Sequence, residues 1–108
     1  MSVELVWSER AMFRMTEIGD FIAERSPSAA ARVLASLFDR VAVLADHPQL
    51  GIMFPGSPTA GVRILYVDKY RVFYLHDEAA AGVVVLTVRH APQAPLSLEQ
   101  VLAEEEEP

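Results

Sequence analysis

The sequence predicts an α+β domain in which an antiparallel helical hairpin packs on a small antiparallel sheet. Three observations predict it. Two amphipathic stretches with helical spacing follow one another before His47, divided only by the restart Ser26-Pro27. Three β-rich runs come later, and the first two are separated by just Asp68-Lys69. A short β-rich run, Val3 to Trp7, precedes the helices. Helices with one apolar stripe and strands joined by short turns cover each other's apolar surface, which gives two layers around one core. The expected order is β-α-α-β-β-β-α.

Each element has a local reason. Val3-Glu4-Leu5-Val6-Trp7 is mostly β-branched or bulky and reads as a strand. Ser8 follows as an N-cap, and Glu9 suits the positive end of a helix dipole. Ala11, Met15, Ile18 and Ile22 are spaced 4, 3 and 4 apart, so they share a helix face. Gly19 weakens that helix unless it admits a second helix at close range. Ser26 caps the next helix and Pro27 takes its first position, where the missing N–H costs nothing. Ala30, Leu34, Leu37, Val41 and Leu44 form its stripe, widened by Val33 and Phe38. Pro48 pushes its predecessor out of the helical region, so Asp46-His47-Pro48 ends the helix.

Residues 49 to 60 carry Gly51, Pro55, Gly56 and Pro58 and read as a loop. Val62 to Val67 and Tyr70 to Leu75 form a tight hairpin across Asp68-Lys69. Gly82 to Arg89 is valine-rich and fits a central strand buried on both faces. Ser97-Leu98-Glu99-Gln100 is a capping box with Leu96 and Val101 as its hydrophobic staple. Four glutamates, Glu104 to Glu107, then stand near the negative dipole end, so fraying is expected after Ala103. The organisation expected is a domain over residues 1–95 and a short helix with a frayed acidic tail over 96–108.

Composition narrows the chemistry. The 108 residues are 52% hydrophobic and carry no cysteine, which excludes a disulfide framework, a thiolate metal site and a cysteine nucleophile. The net charge is −6, but without the four terminal glutamates it is −2, so a near-neutral body carries an acidic tail. A solvated tail is the simpler reading of that run; shielding of a cationic patch or tuning of a partner interface is the other. No signal-peptide pattern opens the sequence, and no run approaches the ~20 apolar residues of a membrane span, so a cytoplasmic location is expected. His47, His76 and His90 lie on separate elements without paired ligand spacing, so neither a metal nor a cofactor is expected. The notable polar cluster is Arg63, Lys69-Tyr70-Arg71, Tyr74 and Arg89-His90 on the strands. It reads either as a cationic, aromatic-flanked patch for an anionic partner or an RNA phosphate, or as snorkelled strand-end arginines beside core tyrosines. Met12, Phe13, Met15 and Phe21 read as core and helix packing.

Several of these residues, taken in order, resemble a known family. Val6-Trp7-Ser8 leads into a helix, and Ala29 and Leu37 lie in the second helix. Leu44, Pro48 and Gly51 have the spacing L-x-x-x-P-x-x-G. Arg63-Ile64-Leu65, Tyr70-Arg71-Val72-Phe73-Tyr74 and Leu86-Thr87-Val88-Arg89-His90 follow. Together they resemble the RelE/ParE toxin superfamily of bacterial toxin–antitoxin modules, and more closely its ParE, plasmid-stabilisation branch, over about residues 3 to 91.

The resemblance implies a small toxin neutralised by a ParD-like antitoxin that wraps it. ParE-like members bind DNA gyrase and stall its cleavage complexes, whereas RelE-like members cleave mRNA on the ribosome. RNA cleavage needs a base, an acid and cations around the phosphorane. Arg63, Arg71 and His90 are the candidates here, but Lys69 is the one lysine and Ala91-Pro92-Gln93-Ala94-Pro95 adds no basic residue or tyrosine. A chain of net −6 also meets the ribosome against its field. The reading preferred is therefore gyrase inhibition without enzymatic activity, and no sequence-specific nucleic-acid binding is expected. Its partner-binding residues are Arg63, Tyr70, Arg71, Tyr74 and Arg89. A ribosome-dependent endonuclease and a non-toxic antitoxin-binding member remain the alternatives.

Overall fold

The computed structural model describes residues 2–55, 61–76, 82–91, 97 and 99–102. Strand β1 (Glu4–Trp7) leads through Ser8 into α1 (Glu9–Ala23), and α2 (Pro27–Ala42) runs on as a 3-10 turn, Val43–Ala45. The later strands are β2 (Ile52–Met53), β3 (Val62–Val67), β4 (Tyr70–Leu75) and β5 (Gly82–His90). The predicted α+β class and the helical hairpin are both present.

The helix starts form as their sequences dictate. Ser8 Oγ accepts from the Ala11 N–H at 3.0 Å and donates to the Leu86 carbonyl at 3.0 Å. Its backbone N–H also donates to Val85 O. One serine thus caps α1 and ties the β1–α1 junction to β5. Ser26 Oγ accepts from the Ala29 N–H at 3.1 Å, with Pro27 at the first helical position. Gly19 serves the helix–helix contact, since a Cβ there would lie 2.8 Å from Leu34 Cδ1.

The sheet differs from the small antiparallel one expected. It has five strands in the order β1-β5-β4-β3-β2, and β1 runs parallel to β5 from Glu4↔Gly82 to Trp7↔Val85. The remaining pairs are antiparallel. No local turn signal reports a pairing across so long a sequence separation, which is why alternation and turn chemistry identify only the hairpin partners. The second addition is β2, two residues inside the segment read as a loop, paired to β3 at the sheet edge. The hairpin across Asp68-Lys69 forms as expected, with Asp68 in the left-handed region at φ 51°.

Both sheet faces are covered. On one, Leu65, Val67, Val72, Tyr74, Val83, Val85 and Val88 pack with Ala11, Met15, Leu37, Val41 and Leu44 of the helical layer. On the other, Val62, Ile64, Phe73 and Leu86 pack with Val101. A bulge where Phe73 pairs with Thr87 but Tyr74 with Val85 leaves Leu86 as an extra residue. Its side chain consequently joins the second face while Val85 and Val88 both stay on the first. The capping box forms, with Ser97 N donating to Gln100 Oε1 at 2.8 Å and Gln100 N to Ser97 Oγ at 3.2 Å. The Leu96 half of the staple and the fraying expected after Ala103 lie outside the described residues.

Candidate functional site

One end of the sheet is organised by a buried tyrosine. Tyr74 has no exposed surface, and its hydroxyl accepts from the Gly51 N–H at 2.8 Å while donating to Pro48 O at 2.8 Å. Gly51 has to be glycine for this closure, because a Cβ would stand 2.7 Å from both Ile64 O and the Tyr74 hydroxyl. Arg63, the register partner of Tyr74, donates through Nη1 to Gly51 O at 2.7 Å and to Gln49 O at 3.3 Å. Leu44, also fully buried, fixes the helical end of the same segment. The spacing of Leu44, Pro48 and Gly51 is thus the imprint of one packing arrangement: a core leucine, a turn, and a glycine closed over a tyrosine. Burial pushes the Tyr74 hydroxyl pKa up, opposed by the Gly51 hydrogen bond and the Arg63 charge.

Two of the residues expected to meet a partner are thus tied into the fold. Tyr74 cannot meet a partner through a side chain that lies wholly inside the core. Arg63 already serves two backbone carbonyls, so both residues position the 48–51 segment and the edge strand that follows it.

The other predicted site residues separate onto two faces. Tyr70 and His90 are register partners at the opposite end of the sheet from Arg63, and their rings lie 5.2 Å apart. Tyr70 packs against the helix-side core, where burial raises its hydroxyl pKa. Arg71 and Arg89 pair with each other on the far face, with Tyr66 opposite Arg71 on β3. The cationic cluster anticipated as one patch is therefore three separate places: Arg63 beside Tyr74, Tyr70 with His90, and Arg71 with Arg89. Strand alternation alone predicted that Arg71 and Tyr70 face apart; the bulge in β5 decides where Arg89 and His90 fall. Among the described residues, no group of three acidic or histidine side chains is arranged to hold a metal.

Beside Tyr70 and His90 lies a groove of about 710 Å³ between the helical layer and the tip of the β3–β4 hairpin. Ile18, Phe21, Ile22 and Val33 line its apolar wall, and Glu17 and Lys69 stand among its polar residues. Phe21 is 74% exposed there, and Met12 and Phe13 also stand on the surface. Of the four residues expected in the core or in helix packing, only Met15 is buried. The signal was available, because Phe13 and Phe21 fall off the Ala11–Met15–Ile18–Ile22 stripe. Phe13 instead carries Arg10 over its ring, at 5.7 Å.

Comparison with known proteins places this arrangement. The family model of the ParE toxin of type II toxin–antitoxin systems, parDE, matches residues 5–95. The putative toxin Y4kP of Sinorhizobium fredii is 35% identical over 92 residues, covering 81% of this chain and 86% of that protein. Toxin RelE2 of Caulobacter vibrioides is 33% identical over 90 residues, covering 82% and 94% respectively. Among solved structures, the chromosomal ParDE system of P. aeruginosa matches with a TM-score of 0.68 at 18% identity, over 82% of this chain and 96% of that one. A free-state arginine-to-alanine mutant of E. coli toxin RelE matches with a TM-score of 0.65 at 18% identity, over 98% and 96%. At such identities the structural likeness is one of fold. The match across nearly all of the folded region, with two relatives above 30% identity, makes this chain a member of the ParE toxin family of type II toxin–antitoxin systems, within the RelE/ParE superfamily.

Proposed function

We propose that this toxin acts by binding and inhibiting DNA gyrase in the cytoplasm, and that a ParD-like cognate antitoxin holds it in check. The observation that supports a binding role over ribonuclease chemistry is the divergence of Arg63, Arg71 and His90. Arg63 is bonded to carbonyls at one end of the helix-side face, His90 stands with Tyr70 at the other end, and Arg71 lies on the far face. Acid–base cleavage of RNA requires its base, acid and phosphate-stabilising cations within hydrogen-bond reach of one phosphodiester. Three groups divided between two faces and two ends of a sheet do not meet that requirement.

The apolar groove beside Tyr70 suits an amphipathic antitoxin segment, since its wall offers aliphatic and aromatic surface with charges around it. On this reading Tyr70, Arg71 and Arg89 contribute to partner contacts, while Arg63 and Tyr74 act through the backbone they hold.

Induced expression followed by a gyrase assay tests the proposal. Growth arrest with accumulation of cleaved supercoiled DNA is expected, and co-expression of the antitoxin should relieve it. Normal supercoiling at saturating toxin overturns it. Codon-linked cuts in translating mRNA, lost in Arg71→Ala, would establish the ribosome-dependent alternative. A tight antitoxin complex without any growth effect would identify a non-toxic binding member.

A further inference from the structure

The sheet has two edge strands, and they are protected differently. β1 carries the exposed Glu4, and the residue before it is tied to the helical layer by a bond from Val3 N to Ala45 O. A charge on an edge strand discourages a further strand from pairing there. β2 has no such guard. Between His47 and Arg63 the sequence holds no acidic or basic residue. Leu50, Ile52 and Met53 stand 55%, 56% and 47% exposed along this edge. The Tyr74 and Arg63 bonds to Gly51 fix the segment that leads into β2, so the edge is preorganised.

The backbone of this edge offers one pairing position. Phe54 N donates to Val62 O, in the register Ile52↔Ile64 and Met53↔Arg63. Bonding alternates along an antiparallel ladder, so the Met53 N–H and C=O face away from β3. Neither has a hydrogen bond among the described residues. The positions on either side are closed. Gly51 N and O already bond Tyr74 and Arg63, and Pro55 has no N–H to donate. An extended peptide therefore finds a complete pair of ladder groups at Met53 alone, whatever its length.

A second copy of the chain fits that limit. In an antiparallel pair centred on Met53, each Met53 N–H donates to the other Met53 carbonyl, and two-fold symmetry asks for no further bond. Ile52 of each copy then stands opposite Phe54 of the other, two apolar cross-strand pairs of the kind that stabilise sheets. Ile52 is the register partner of Ile64, and the Phe54 ring lies 5.8 Å from that of Phe73. The far-face cluster of Val62, Ile64 and Phe73 thus becomes continuous across the pair. Two identical acidic chains also meet here without bringing like charges face to face.

We propose that β2 is a self-association edge, through which two copies pair antiparallel about Met53 and join their five-stranded sheets into one. Three half-exposed aliphatic side chains fall well short of the roughly 800 Å² that each partner buries in a standard interface, so the pair is weak and concentration-dependent. The groove beside Tyr70 lies at the hairpin end of β3, away from Arg63 and Ile64, so it stays open in the pair. The contact is independent of which target the toxin attacks.

Sedimentation equilibrium of the free full chain, from about 1 µM to about 1 mM, tests the proposal. Half-dimerisation at a concentration on the order of 0.1 mM is expected. I52K, which places the missing charge on the edge, should weaken association at least about tenfold. F21K, which alters the exposed wall of the groove, should leave it unchanged and serves as the control for association through that face. Both side chains are exposed, and circular dichroism melts confirm that each variant is folded. A monomer across the whole range overturns the proposal, as does association that I52K leaves intact or that F21K abolishes. Amide exchange in the unmodified chain gives a second readout that needs no variant. The Met53 amide should exchange about tenfold more slowly when nine-tenths of the protein is paired, because only the monomer leaves it open to solvent. A Met53 rate independent of concentration, in a sample that does dimerise, overturns the assignment to this edge.

Discussion

Replacing Tyr74 by phenylalanine removes one oxygen atom and leaves the ring in place, so it isolates the closure of the 48–51 segment. The hydroxyl bonds Gly51 N and Pro48 O, each at 2.8 Å. The Gly51 N–H is buried, and losing its acceptor costs about 1–3 kcal/mol, the desolvation of an unpaired donor. Pro48 O is only partly buried and recovers a bond to water, so its loss is nearer the net value of about 0.5–1.5 kcal/mol. Together the two terms span about 1.5–4.5 kcal/mol, and a loss near the middle, about 2–3 kcal/mol, is expected, a large share of the roughly 5–15 kcal/mol by which such domains are stable. In a domain of this size that lowers Tm by about 10–20 °C. Urea unfolding followed by circular dichroism measures the loss directly, with an unchanged slope showing that the two end states are preserved. Tyr70→Phe is the control, since the Tyr70 hydroxyl has no hydrogen bond among the described residues. A Tyr74→Phe loss within about 0.5 kcal/mol of that control refutes the account, because surface-like changes fall in that range. Retained hydrogen-exchange protection at Gly51 would refute it too.

Three further predictions follow from the same packing. Gly51→Ala should destabilise by several times the loss of an ordinary surface change, about 2–4 kcal/mol, because the new methyl meets a backbone carbonyl as well as the tyrosine and neither can retreat easily; chemical denaturation measures it. Ser8→Ala removes a cap and the bond to Leu86 O, so a loss of about 1–2 kcal/mol is expected, with increased hydrogen exchange in the first turn of α1. Alkaline stability should fall above pH 10: burial raises the Tyr70 and Tyr74 pKa values above 10.0, so the folded state keeps protons that the unfolded chain releases. The stabilising difference is complete below the unfolded value and disappears as pH rises through the folded ones, and Tyr74→Phe should flatten that decline.

Much of the candidate site was already written in individual residues, though not its purpose. The family spacing of Leu44, Pro48 and Gly51 was visible, as were Arg63 and Tyr74 on adjoining strands. What they do together was not visible, because the hydroxyl of residue 74 meets residues 48 and 51 only after β3 and β4 fold back beside the end of the helical layer. A tyrosine among strand residues looks the same in sequence whether its hydroxyl faces solvent or closes a turn.

Local chemistry by itself determined the helices, their caps and the β3–β4 hairpin. As caps, Ser8, Ser26 and Ser97 each bond an amide three residues on, and helical or strand periodicity is a property of the nearest few positions. Tertiary structure alone decided the parallel contact of β1 with β5, the edge strand β2 and the bulge at Leu86. Each depends on backbone groups finding partners far along the chain, and no side-chain pattern encodes that choice. The same long-range pairing set Arg71 opposite Arg89 and parted both from Arg63, turning one apparent cationic patch into a backbone clamp at one end of the protein and a charged surface at the other.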